Sequence, residues 1–287
     1  MPPQLIDAVH AWRIPLAGTL ALLGLVLVYL RGWMGLRRAA PAGPWSWRLS
    51  AFIGGIAALW IAIWSPLAMV DHELLTVHMV QHLVLMTVAA PLILLGAPAM
   101  IMLRALSARF VIRSTGRVFP PRGPSAVFDV IAHPLVCWCA GTLVVVVWHV
   151  PAAFALAMSS QGWHAFQRAT FLAAGLLFWW PVIQPWPSSA KWPRWCVPLY
   201  LFLATLPCDA LSAFFAFCGR TVYPAHLCHS GASPEARLSD QVSAGALMWF
   251  WVTVAYLVPA IRVVVQILSP LGEENDGEGA SALIERR

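Results

Sequence analysis

Two histidines four residues apart, in His78-Met79-Val80-Gln81-His82, stand at the head of an apolar run that reaches Met102. On a helix that spacing stacks both imidazoles on one face, about 6 Å apart along the axis at about 1.5 Å rise per residue. Met86 follows one turn further on, slightly offset. Histidine suits copper, zinc and iron, and methionine or cysteine nearby biases a site toward copper(I). Polar groups at the mouth of an apolar helix are costly unless something uses them. The plain alternative for any one histidine is an interface residue with a half-wet ring. That alternative fits the pair least well, because paired imidazoles repel when protonated and each needs a partner when neutral. Met86 taken alone reads as packing. The run is not a zincin motif, which needs Glu directly after the first histidine as general base; here that residue is Met79.

The elements that must position these residues are membrane helices. Of 287 residues, 60% are hydrophobic and 10% charged, against roughly 25% charged in an ordinary soluble domain. A soluble chain this apolar would lack polar surface, so an integral membrane protein is expected. The formal charge of +6 then bears on orientation and does not point to nucleic acid. Six cysteines, Cys137, Cys139, Cys196, Cys208, Cys218 and Cys228, form no CxxC pair. Several of the sixteen tryptophans sit near helix ends, where an indole anchors at headgroup level. The first apolar run lacks a small-residue cleavage site and reads as a retained helix.

Scanning for about 20 consecutive apolar residues predicts an all-α bundle of seven transmembrane helices. The spans run over 14–30, 51–70, 76–103, 132–150, 164–183, 197–218 and 241–268. Residues 1–271 form one transmembrane domain, and the acidic 272–287 segment reads as a disordered cytoplasmic tail. Pro151 interrupts the fourth apolar stretch, and a kink or early end of the third is expected near Pro98. Arginines concentrate in the 31–48 and 104–131 loops, with Lys191 and Arg194 in 184–196. By the positive-inside rule those loops are cytoplasmic, the N-terminus is outside and the C-terminus is inside.

This orientation gathers the reactive residues at one membrane face. Asp71, His72, Glu73, His78 and His82 lie at the outer end of the third span, His149 at that of the fourth and His164 at that of the fifth. His226, Cys228, His229 and Asp240 belong to the outer side before the seventh. His164 reads equally as a residue near a helix N-cap. Asp209, beside Cys208 in the sixth span, falls near mid-membrane, where a carboxylate should face the interior and hold a partner or a proton, or bond locally to Ser212. Cys208 also reads as a small buried hydrophobe. Cys218 and Cys228 could form a disulfide on the oxidising side, or bind metal beside His226 and His229. Cys137 and Cys139 read as structural.

The run His78-Met79-x-Gln81-His82-Leu83, with Ala90-Pro91-Leu92 and Leu95-Gly96-Ala97-Pro98, resembles the signature of the CtaG family of cytochrome c oxidase assembly proteins, the caa3-type group. Matches continue in order: His133-Pro134, Trp148-His149-x-Pro151, His164 with Phe178-Trp179-Trp180-Pro181, then Pro207-Cys208-Asp209-Ala210-Leu211-Ser212-Ala213-Phe214. Tyr223-Pro224, Asp240-Gln241, Ala244-Gly245 and Met248-Trp249 complete the set, which covers roughly residues 50 to 265. One departure is Arg168, where members often carry a second histidine four residues after His164. The resemblance implies a multi-pass protein of the bacterial inner membrane needed to build a haem–copper oxidase. Its partners would be membrane subunits of the oxidase and a periplasmic copper donor. The histidine cluster fits holding copper(I), with His78, His82, His149 and His164 as ligands, Met86 and Cys208 as softer contributors, and Asp209 or Asp240 tuning them. No bond chemistry on a substrate is required, so an enzyme is not expected. Three other readings stand beside this one. The first is a haem-binding redox protein with axial histidines on facing helices. The second is a proton-coupled transporter, which the lack of an internal repeat disfavours. The third is a metal-free scaffold for oxidase folding.

Overall fold

The computed structural model describes residues 12–39, 45–105, 126–184, 192–223 and 233–269. The expectations for His226, Cys228, His229 and the acidic tail lie outside them. Every regular element among the described residues is helical. In chain order these are α1 (Leu16–Ala39), α2 (Trp45–Trp64), a short 3-10 turn (Pro66–Met69), α3 (Leu75–Leu83), a π-helical segment (Val84–Ala89), α4 (Ala90–Leu95) and α5 (Pro98–Ala105). After them come α6 (Ala126–Ile131), α7 (Pro134–His149), α8 (Pro151–Met158), α9 (Gln161–Ile183), α10 (Cys196–Phe217) and α11 (Pro234–Leu268).

Five helical stretches are long and apolar enough to cross a membrane: Leu16–Arg38, Ser46–Trp64, Leu75–Leu95, Cys196–Phe217 and Pro234–Leu268. A sixth is added if α7 and α8, bent by 79°, count as one. The chain is a multi-pass membrane protein. The expected seven exceeds this number by one, at α9. That helix has 23 residues, but Gln161, His164, Gln167 and Arg168 crowd its first turns and dilute its hydropathy.

The breaks have local causes. The third expected span ends at Leu95 rather than 103, because Ala97 takes a left-handed φ of 48° ahead of Pro98, which restarts the chain as α5. The Gly96 carbonyl exposed by this turn accepts the Tyr29 hydroxyl at 2.8 Å. Val150 is extended before Pro151, which separates α7 from α8. The π-helical turn lies just ahead of Pro91, whose ring removes one N–H and crowds the preceding turn.

The continuous Leu75–Leu95 segment is the axis of the bundle. It has 56% of its window buried, against 33% or less for the other four spans. α3 packs on α11, while the π segment and α4 pack on α2 and α9. A Cβ on Gly55 of α2 would lie 2.7 Å from Ile93 N, and one on Gly175 of α9 would lie 2.9 Å from Met86 Cα and 3.0 Å from Met86 O. Nearby, the Trp179 indole N–H donates to the Met86 carbonyl at 2.9 Å, answering a group the π turn leaves open. The head of α3 is held by α11. Asp240 accepts from Leu75 N–H at 2.6 Å, Thr76 N–H at 3.2 Å and the Thr76 hydroxyl at 2.6 Å.

Candidate metal centre

His78 and His82 point into the bundle from successive turns of α3, and both are buried. Their Nε2 atoms lie 2.9 Å apart, with the rings edge to face. Two N–H groups cannot face each other at that distance. Either one nitrogen donates to the other, or both present lone pairs to a shared cation. At ligand bonds of about 2.0–2.1 Å, such a pair subtends about 90° at the ion. The rings are fixed by their neighbours: His82 stacks on Phe171 at 4.1 Å, and His78 meets Phe154 at 5.2 Å.

His149 ends α7, where Pro151 forces the chain to turn. Its Nδ1 lies 2.6 Å from the Val145 carbonyl, an acceptor only, so Nδ1 carries the proton and Nε2 the lone pair. That Nε2 is buried with no hydrogen-bond partner among the described residues. The Tyr223 hydroxyl donates to the His149 carbonyl at 2.7 Å and holds the corner. His149 and His82 line one cavity of about 30 Å³, room for a single ion or water. Met79, Met86 and Met248 line it too, with Cys208. Imidazoles, thioethers and a thiol gathered around one small cavity are residue types that suit a soft cation, and the walls of the cavity are apolar.

Toward the N-terminal end of α3, His164 of α9 stacks on His78, with centroids 5.4 Å apart, and its Nε2 lies 3.6 Å from Asp71 Oδ2. His72 Nε2 is 3.7 Å from Asp71 Oδ1, and Arg168 NH1 is 4.0 Å from Asp71 Oδ2. Burial raises the Asp71 carboxyl above its ordinary range, while the adjoining His72 and Arg168 draw it back. A vestibule of about 650 Å³ reaches these residues, walled by Trp12, Arg13 and Trp64 among others.

Of the eight residues singled out in the sequence, His82, His149, Met86 and Cys208 line one cavity, His78 meets His82, and His164 stacks on His78. Asp209 and Asp240 stand off this group. Asp209, one position from Cys208, does not line the cavity; it is half-buried, and its Oδ1 accepts no hydrogen bond among the described residues. Asp240 caps the start of α3, three residues before His78. Sequence reasoning passed over Met79 and Met248, which line the cavity, and named Asp71 and His72 only as residues on the same side. Met79 was open to detection, since it shares a helix face with His82 three residues on and Met86 seven residues on. Met248 comes from α11, and periodicity alone does not bring it to α3.

Comparison with known proteins adds relatives and a family. An uncharacterized protein of Mycobacterium leprae is 27% identical over 279 residues, covering 93% of this chain and 40% of that protein. Uncharacterized proteins of Mycobacterium bovis and Mycobacterium tuberculosis are each 24% identical over 280 residues, with the same coverage. The chain thus spans about 40% of the length of the curated relatives it matches. No solved structure matches. The profile described as cytochrome c oxidase caa3 assembly factor (Caa3_CtaG) matches residues 27–269, and the chain belongs to that family.

Proposed function

We propose that this protein assists assembly of a haem–copper cytochrome c oxidase by holding copper(I) at the buried histidine–sulfur site and passing it to an oxidase subunit. The observation that supports this reading is one contiguous arrangement. The His78 and His82 Nε2 atoms meet at 2.9 Å, and His82 shares an apolar-walled cavity with His149, Met79, Met86, Met248 and Cys208, while the His149 Nε2 has no hydrogen-bond partner among the described residues. Copper is cargo here. His78, His82 and His149 would hold it, with Met86 and Cys208 exchanging as softer donors during transfer. The protein makes and breaks no substrate bond, so its role is delivery rather than catalysis.

The same reading places the chain in a bacterial inner membrane, N-terminus outside and C-terminus cytoplasmic, with α9 as a further span beside α7. A periplasmic donor would then meet the His72 side and an oxidase subunit the lateral surface. The haem alternative fits less well. Axial ligation would pair His78 or His82 with His149 or His164 across a porphyrin, whereas the cavity lined by His82 and His149 is about 30 Å³ and His164 stacks directly on His78, with centroids 5.4 Å apart.

The test is copper(I) affinity of detergent-purified protein, wild type beside His78→Ala/His82→Ala, with oxidase maturation scored in cells. Stoichiometric copper(I) that disappears in the variant, together with loss of oxidase, supports delivery. Loss of oxidase with no copper bound by either protein would leave a scaffold whose histidines touch a partner.

A further inference from the structure

We propose that Asp71, His72 and His164 form a second metal site, at the mouth of the bundle, that takes a divalent cation directly from the vestibule. The three ligand atoms lie within 4.8 Å of one another. Both imidazoles face the same carboxylate, His72 at 3.7 Å from Oδ1 and His164 at 3.6 Å from Oδ2. In a tetrahedral site with bonds of about 2.0–2.1 Å, donor atoms stand roughly 3.4 Å apart. The triad therefore closes on an ion by about an ångström of side-chain movement. His72 can supply that movement, being 46% exposed on the loop between the 3-10 turn and α3.

Asp71 is the reason to assign a ligand. It is 1% exposed, and neither of its oxygens takes a well-formed hydrogen bond among the described residues. Gln81, the His72 backbone and the three nearby side chains support its charge only loosely, so a cation seated among them would be held by a buried carboxylate. The guanidinium of Arg168 approaches only to 4.0 Å, through one nitrogen, rather than in the paired geometry that arginine makes with a carboxylate. Arg168 is the resting counter-charge, and a bound ion takes its place against Oδ2.

The donor set distinguishes this site from the inner one. One carboxylate oxygen and two imidazoles are harder donors than thioethers and a thiol, so the outer site suits zinc(II) or another borderline divalent ion. Three protein ligands leave a fourth position open to the vestibule, as exchange requires. His164 belongs to both environments, its Nε2 facing Asp71 and its ring stacked on His78. Binding at the triad stands apart from the copper reading; that the triad lies on the way to the inner pair rests on it.

The experiment uses the full chain in detergent, with cobalt(II) as the optical probe and zinc(II) titrated by calorimetry. The wild type should bind one ion with tetrahedral cobalt(II) bands. His72→Ala and Asp71→Asn should each weaken zinc(II) by at least about tenfold. Arg168→Gln should tighten it by removing the competing charge. His78→Ala/His82→Ala should leave the cobalt(II) spectrum in place while removing copper(I). The exposed His72 keeps the test meaningful should Asp71→Asn fail to fold. A cobalt(II) site that survives His72→Ala and Asp71→Asn but vanishes with His78→Ala/His82→Ala would overturn the proposal, as would a wild type that binds neither ion. The second result would leave an ion-pair network joining the loop to α9. Cobalt(II) binding at the triad without copper(I) binding would sink the copper reading and leave this site standing.

Discussion

The Asp240 carboxylate of α11 receives the Leu75 N–H at 2.6 Å, across 165 residues of chain, and so starts the helix that carries His78 and His82. Helix N-termini leave four amides unanswered, and a carboxylate from another helix meets two of them here while fixing where the histidine face points. Asp240→Ala should lower stability by about 1–2 kcal/mol and weaken copper(I) binding through a loosened first turn. Asp240→Asn should recover part of both, because its amide oxygen still accepts. Thermal unfolding in detergent and a copper(I) titration on the same samples check this; a destabilised variant with wild-type copper(I) affinity would show that the cap does not position the site.

Swapping Met86→Leu or Met248→Leu conserves volume and should cost less than about 1.5 kcal/mol. If the thioethers ligate, each swap should still weaken copper(I) severalfold. Unchanged affinity in both would assign these side chains to packing, and a shift in the copper X-ray absorption spectrum would show which sulfur left.

His149→Ala removes the buried Nε2 that faces no partner and should weaken copper(I) roughly 10–100-fold. Tyr223→Phe keeps the imidazole but removes the 2.7 Å bond to its carbonyl. It should cost about 1 kcal/mol of stability with a much smaller effect on copper. Equal losses of copper in the two variants would mean that the corner matters and the imidazole does not.

A methyl at Gly175 would meet Met86 Cα at 2.9 Å and Ala90 Cβ at 3.0 Å. Gly175→Ala should destabilise the bundle by about 1–3 kcal/mol by pushing α9 off the π turn. Trp179→Phe, which unseats the 2.9 Å bond to Met86 O, should cost about 1–2 kcal/mol. Thermal denaturation of both variants reads the result, and a neutral Gly175→Ala would show that α9 can shift at no cost.

Much of the site was legible in the chain. Spacing of four put His78 and His82 on one face, Pro98 and Pro151 marked real breaks, and the ordered motifs carried the family. The span count was less legible. Length separates a membrane helix from a short core helix, but α9 hides its apolar half behind Gln161, His164, Gln167 and Arg168. Two of the residues that dilute its hydropathy, His164 and Arg168, face Asp71.

By itself the sequence determined which residues share a helix face, where the helices break and that the chain belongs in a membrane, because these follow from neighbours a few residues apart and from composition. Only the tertiary structure decided that His149, Cys208 and Met248 from three other helices meet His82 around one cavity, that Asp71 lies between His72 and His164, and that Asp240 caps α3 while Asp209 does not line that cavity. Those relationships join residues tens to more than a hundred positions apart. They are set by how side chains of particular size interlock between helices, as Gly175 against Met86 shows, and no local periodicity encodes that fit.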